Sequence, residues 1–206
     1  MKHRAVIFDL GGVVLGSPLE AIAHYERELG ISAGFVNRVV IETGAGGAWS
    51  RLERGELSLE AFYAAFERDC ERAGEQLSGR SLMERIAQKA VPRPRMLTAV
   101  RCIRARGVAA AALTNNWAGE GDGTRALRPS FDVFVESSSL GMRKPDPRIY
   151  THTCARLAVE PAEAIFLDDI GRNLKPARQL GMTTIKVEDP ARALDELEAL
   201  LGFPLG

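Results

Sequence analysis

Residues 5–14 read AVIFDLGGVV: four apolar side chains, an aspartate at Asp9, then a glycine pair at 11 and 12. A short uninterrupted apolar run suits a strand buried on both faces of a parallel sheet, and it stops at Asp9, where the glycines allow a turn. The same grammar recurs downstream. Val108–Leu113 runs into Thr114-Asn115-Asn116, Val133–Val135 into serines, Ile165–Leu167 into Asp168-Asp169, and Thr184–Val187 into Glu188-Asp189-Pro190. Helical patterns separate these runs. Pro94–Arg106 stops at Gly107, Pro147–Leu157 follows Asp146 as N-cap, and Ala191–Leu201 stops at Gly202. Strands alternating with helices predict an α/β fold with a Rossmann-like, doubly wound parallel sheet. Such sheets bind ligands beyond the carboxyl ends of their strands. Here polar residues follow every apolar run, at that same edge.

One stretch breaks the alternation. From Leu19 to Ala90 only helical periodicity is present, with Leu19, Ile22, Ala23 and Leu29 predicted on one face and Leu59, Phe62, Tyr63 and Phe66 on another. Ser81 and Glu84 have capping-box spacing at the start of the last of these helices. Pro92-Arg93-Pro94 then punctuates the return to the α/β pattern. The expectation is a small helical cap, residues 19–93, inserted into a catalytic core of residues 1–18 and 94–206 and hanging over the polar edge.

The 206 residues include 27 basic and 27 acidic side chains, a net charge of zero. That balance argues against nucleic acid as a partner, which would call for a basic footprint, and against a polybasic lipid contact. The longest apolar run, Val108–Leu113, is far short of the roughly 20 residues a membrane span requires. The opening MKHRAVIFD has no signal-peptide apolar region, so a cytoplasmic location is expected. Cys70, Cys102 and Cys154 are too few and too scattered for a disulfide framework or zinc site and read as buried thiols in a reducing compartment. His3, His24 and His152 lie in no motif and read as solvated or packed.

Four constellations at the polar edge carry chemistry. Asp9 is a nucleophile, a metal ligand or a turn cap, and the adjacent glycines let a ligand approach the backbone closely. Thr114, Asn115 and Asn116 offer a hydroxyl and turn N–H groups to an oxyanion, with Trp117 as a pocket rim or a packed side chain. Lys144, in GMRKPDP, either offsets a carboxylate cluster or is an exposed lysine. Asp168 and Asp169 repel each other by roughly 4 kcal/mol at 4 Å and an effective dielectric near 20. A cation must offset this, and hard oxygen ligands favour Mg²⁺. One of the pair is alternatively a cap for the helix near Asn173.

In order, an aspartate, a threonine, a lysine and paired aspartates, each after an apolar run, resemble the haloacid dehalogenase-like hydrolase superfamily. More narrowly, AVIFDLGGVV, LTNNW, GMRKPDPRIY and FLDDIGRNLKPARQLGMTTIKV are similar to the N-terminal phosphatase domain of soluble epoxide hydrolases and the related domain of acyl-CoA dehydrogenase fusions. The resemblance implies that Asp9 attacks phosphorus to form an aspartyl-phosphate. Thr114 and Asn115, with Asn116 beside them, would hold phosphate oxygens, and Lys144 would neutralise nucleophile and phosphate. Asp169, with Asp168 close by, would bind Mg²⁺ together with Asp9 and the Gly11 carbonyl. Asn173 would orient the second aspartate or the ion's water. The implied partner is a small-molecule phosphate, with monomer and homodimer both open.

The sequence departs from this pattern at Gly11, where related phosphatases carry an aspartate that protonates the leaving oxygen and later activates water. General acid–base help is worth typically 10²–10⁴-fold, so a weak or selective phosphatase is expected, favouring aryl or acyl phosphates. A haloacid dehalogenase needs no such acid, but it also needs no paired aspartates. A catalytically degenerate phosphate-binding module is the other alternative. Trp49, Arg51 and Tyr63 are among the cap residues that could contact substrate, and the sequence does not orient them.

Overall fold

A computed structural model describes residues 2–117 and 124–206. Among them β1 (Ala5–Phe8), β2 (Ala109–Thr114), β3 (Val133–Glu136), β4 (Ala164–Asp168) and β5 (Thr183–Lys186) form one sheet. Its order is β3-β2-β1-β4-β5, with every neighbouring pair parallel. The expected Rossmann-like α/β sheet is thus present. Three strands, β2, β3 and β4, run further than the apolar runs predict. Thr114 pairs with Glu136 and Asp168 with Lys186, so the polar residues expected just beyond β2 and β4 are their last rungs.

Helices α1 (Pro18–Leu29), α2 (Phe35–Thr43), α3 (Ala48–Glu53), α4 (Leu59–Arg72) and α5 (Gly79–Lys89) follow β1 without an intervening strand. The remainder are α6 (Pro94–Ala105), the short α7 (Ser137–Leu140), α8 (Pro147–Leu157), α9 (Gly171–Gln179) and α10 (Pro190–Leu201). Strand alternation sends Val6 and Phe8 to one face of the sheet, against Val100 and Ile103 of α6 and Leu194 and Leu197 of α10. Ala5 and Ile7 face the other side, with Ile149 and Tyr150 of α8 and Leu174 and Ala177 of α9. Asp146 and Asp189 cap α8 and α10, accepting the N–H groups of Arg148 and Arg192 at 2.9 Å.

The helices between residues 18 and 89 bury an apolar cluster of their own. Its centre holds Phe62 and Phe66, stacked at 5.2 Å, with the Trp49 indole edge-on to both. Two expectations are corrected here. The buried stripe of α1 is Ala21, Ile22 and Tyr25, whereas Leu19 and Leu29 are each 42% exposed. Its roll is set by polar contacts: the Tyr25 hydroxyl meets the Ser78 backbone, and the buried Glu26 accepts the N–H groups of Gly34 and Val36. The start of α5 also lies earlier than the Ser81–Glu84 spacing suggests. Ser78 is the cap, accepting the Ser81 N–H at 3.2 Å, and Glu67 holds the Gly79 N–H.

The chain leaves and re-enters the sheet region side by side. Leu15 bridges Pro92, and the Arg93 N–H donates to the Val14 carbonyl at 2.8 Å.

Candidate active site

Register brings the polar residues together. Phe8 is level with Ala112 on one side and Leu167 on the other, so the next residue, Asp9, lies beside the ends of β2 and β4. Its N–H continues the ladder to the Leu167 carbonyl at 2.9 Å. Gly12 then turns the chain with φ of 80°, and a Cβ there would lie 2.0 Å from Asp169 Oδ2. Only glycine satisfies both constraints.

Lys144 is the centre of the site and is 1% exposed. Its Nζ lies 2.8 Å from Asp9 Oδ1 and 2.7 Å from Asp168 Oδ2. The Asn115 side chain grips its backbone, accepting the Lys144 N–H at 2.8 Å and donating to its carbonyl at 3.0 Å. Asp9 Oδ1 also accepts the Leu10 N–H at 2.7 Å. Asp168 is fully buried with both oxygens engaged, by Lys144, the Ile170 N–H and the Asn173 amide. Asn173 therefore holds the first aspartate of the pair, not the second, and is itself fixed by the Tyr150 hydroxyl on its carbonyl at 2.7 Å.

Ligand oxygens of Asp9, Asp168 and Asp169 lie within 4.8 Å of one another. One ammonium faces three carboxylates, leaving two negative charges in excess. Burial raises the Asp9 carboxyl well above its ordinary range, against the pull of Lys144 and with the push of Asp168 and Asp169. Burial and then Asp168 lift Asp169 to about 6. Burial alone would lower Lys144, but Asp168 and Asp9 reverse this and hold it above the ordinary lysine range, fully charged. An all-oxygen donor set with surplus negative charge fits a hard divalent cation such as Mg²⁺.

Above this floor lies a cleft. Asp9, Gly11, Thr114, Asn115, Lys144, Asp169 and Asn173 line its polar end, and Pro18, Ile22, Val36, Val40, Ile86 and Trp117 its apolar walls. Asn116 differs from its expected role. Its polar atoms are committed to Glu136, Ser137 and Ser138, so it braces the loop. Of the expected cap contacts, Trp49 lines the cleft. Arg51 instead pairs with Glu56, and Tyr63 lies beneath the Arg80 guanidinium. Sequence reasoning missed Glu53, Arg143 and Arg172, which also line it. Glu53 sits in the charged run RLERGE, which reads as a solvated helix face, and only adjacency to Lys144 distinguished Arg143.

A parallel sheet with a buried carboxylate at the end of its central strand, a buried lysine and paired aspartates at its carboxyl edge fits a class of Rossmann-like hydrolases. The haloacid dehalogenase-like hydrolase family matches residues 3–181, and the chain belongs to that family. It is 43% identical to acyl-CoA dehydrogenase family member 10 of Mus musculus over 99% of this chain and 20% of that protein. It is 38% identical to bifunctional epoxide hydrolase 2 of Sus scrofa over 100% of this chain and 40% of that one. The chain thus spans less than half the length of both relatives. The sesquiterpene phosphatase astK of Aspergillus oryzae is 28% identical over 97% of each chain. In fold it resembles a haloacid dehalogenase-family enzyme of Bacteroides thetaiotaomicron solved with magnesium and inorganic phosphate (TM-score 0.65, 20% identity, 92% of this chain and 98% of that one). No helix among the described residues is long and apolar enough to cross a membrane.

Proposed function

We propose that the protein is a Mg²⁺-dependent phosphoric monoester hydrolase working through an aspartyl-phosphate on Asp9. The observation that carries this reading is the buried Lys144 joining Asp9 to Asp168, with Asp169 completing a carboxylate cluster in excess negative charge. Asp9, Asp169 and the Gly11 carbonyl would hold the ion, with Asp168 alongside, and the bound ion would offset the charge of the incoming phosphate. Asp9 Oδ2 attacks phosphorus while the bond to the leaving oxygen breaks. Lys144 favours the ionised form of the nucleophile against the effect of burial, and the Thr114 hydroxyl and the Asn115 N–H hold the phosphoryl oxygens. Water then cleaves the acyl-phosphate and restores Asp9.

Gly11 supplies no proton in the first step and no base in the second. The leaving group therefore departs as an anion, which favours aryl or acyl phosphates, and loss of the phosphoryl group from Asp9 is slow. The apolar walls favour a substrate with a hydrocarbon body, in keeping with a relative named as a sesquiterpene phosphatase. Residues 19–93 act in this reading as the cap that covers that body. The free thiols Cys70, Cys102 and Cys154 suit a reducing, cytoplasmic setting. Halide displacement would require no offset for the carboxylate cluster, and a mere phosphate binder would not require a nucleophile.

The test is phosphate release from p-nitrophenyl phosphate. The reading expects release that depends on Mg²⁺ and is lost in Asp9→Asn, with a pre-steady-state burst. Metal-independent release, or release that survives Asp9→Asn, refutes it.

A further inference from the structure

An ion pair that the catalytic scheme leaves unused joins the helical segment to the phosphate end of the cleft. Glu53, the last residue of α3, places Oε2 at 2.5 Å from Arg143 Nε, with side-chain exposures of 9% and 14%. The same guanidinium donates from Nη1 to the buried Ser50 hydroxyl, one turn earlier, at 2.7 Å. Glu53 Oε2 also lies 3.4 Å from the Asn115 amide nitrogen. Arg143 precedes Lys144 directly, and Asn115 grips the Lys144 backbone from both sides. One carboxylate therefore touches both supports of the lysine that holds Asp9.

The other carboxylate oxygen faces the opposite way along the chain of contacts. Oε1 accepts the Trp49 indole N–H at 3.0 Å, and Trp49 lines the cleft. Close backbone approach just beyond the end of this helix holds it near α7, since a Cβ on Gly55 would lie 2.4 Å from the Ser138 carbonyl. A buried ion pair is seldom the most stable filling for its space, because apolar side chains of equal volume avoid its desolvation cost. What such a pair supplies is register between the elements it joins. Here those elements are a wall of the cleft and the loop that bears Lys144.

We propose that Glu53 is a positioning residue: through Arg143 and Asn115 it sets the place of Lys144, and through Trp49 it makes phosphate affinity depend on how the substrate's body is seated. This rests on reading the cleft as a phosphate-ester site. Glu53 touches no reacting atom. Its effect on phosphate has the opposite sign to that of a bystander carboxylate, whose removal would tighten anion binding by relieving repulsion.

The experiment measures inorganic phosphate binding to the full chain with Mg²⁺ by calorimetry, which requires no turnover. An absence of phosphatase activity and an absence of this coupling are therefore separate results. Glu53→Gln keeps shape and loses charge, and it should weaken phosphate binding about tenfold. Trp49→Phe keeps an aromatic ring in the wall but loses the N–H together with part of the indole surface, and it should weaken binding by about threefold. In an Arg143→Met background Glu53→Gln should add little. Tighter or unchanged binding in Glu53→Gln, or full additivity with Arg143→Met, overturns the proposal. Should Glu53→Gln not fold, Trp49→Phe decides alone, and unchanged phosphate affinity there refutes it.

Discussion

Replacing Asp169 with asparagine should stabilise the metal-free protein while removing its response to Mg²⁺. The carboxyl titrates at about 6, against an ordinary value of 3.8, because burial and then Asp168 disfavour its charge. Two units correspond to about 3 kcal/mol of native-state cost once the group is ionised. Solvent reaches part of this carboxylate, and screening brings the expected cost to about 1–2 kcal/mol. A raised carboxyl means that the folded state binds the proton more tightly than the unfolded chain. Its contribution is therefore harmless near pH 4, grows unfavourable as pH rises through 4–6, and stays so above. Asp169→Asn lacks the titration and keeps the shape. In urea denaturation with a chelator it should exceed the parent by about 1–2 kcal/mol at pH 7.5, and the advantage should fade toward pH 4. Saturating Mg²⁺ should reverse the order, since a ligand at 100 times its Kd adds about 2.7 kcal/mol to the parent alone. An Asp169→Asn protein less stable than the parent in chelator, or an advantage independent of pH, refutes the electrostatic account of the cluster.

Lys144→Met strands the Asp9 and Asp168 carboxylates in the interior and should cost about 3–5 kcal/mol at pH 7.5, read as a fall in the urea midpoint. Gly12→Ala combines a left-handed backbone with a Cβ 2.0 Å from Asp169 Oδ2. It should cost about 1–3 kcal/mol from the backbone alone and weaken Mg²⁺ binding, measured by thermal unfolding with and without the ion. Gly11→Asp paired with Pro18→Ala should raise turnover of alkyl phosphates by about 100-fold and abolish the burst, measured by rapid mixing.

The fold was legible because burial on both faces leaves a visible signature. AVIF, VAAAAL and IFL read as interior, the aspartate-capped, proline-led segment announced α8, and Gly202 marked the end of α10. Strand ends were less legible, since Thr114 and Asp168 are polar yet still ladder-bonded. Cap faces were harder still. The roll of α1 depends on Tyr25 meeting Ser78 and Glu26 meeting Gly34, contacts that hydrophobic spacing does not encode. In the site, each aspartate was visible by position, but Lys144 could be read alone as an exposed lysine. Its burial follows from register between β1 and β4, which places Asp9 and Asp168 on either side of one ammonium. Glu53 left no trace, because a charged run on a helix has the same pattern whether it meets water or Arg143.

Gly11 is the departure that the structure makes physically intelligible. A Cβ there would lie 3.0 and 3.2 Å from Pro18 Cγ and Cδ, tighter than an ordinary contact. Pro18 is also the first residue of α1, where its fixed φ opens the helix at no cost in hydrogen bonding. A side chain at residue 11 thus crowds the start of α1 by a few tenths of an ångström, and the proline there presents apolar surface to the cleft. Introducing aspartate at 11 alone should therefore fall short of the double variant, through displacement of Pro18 rather than through any defect in the chemistry. That is why the informative variant carries both changes. If Gly11→Asp by itself reaches the turnover of the double variant, Pro18 is not the obstacle, and the loss of the acid has no steric origin in the cap.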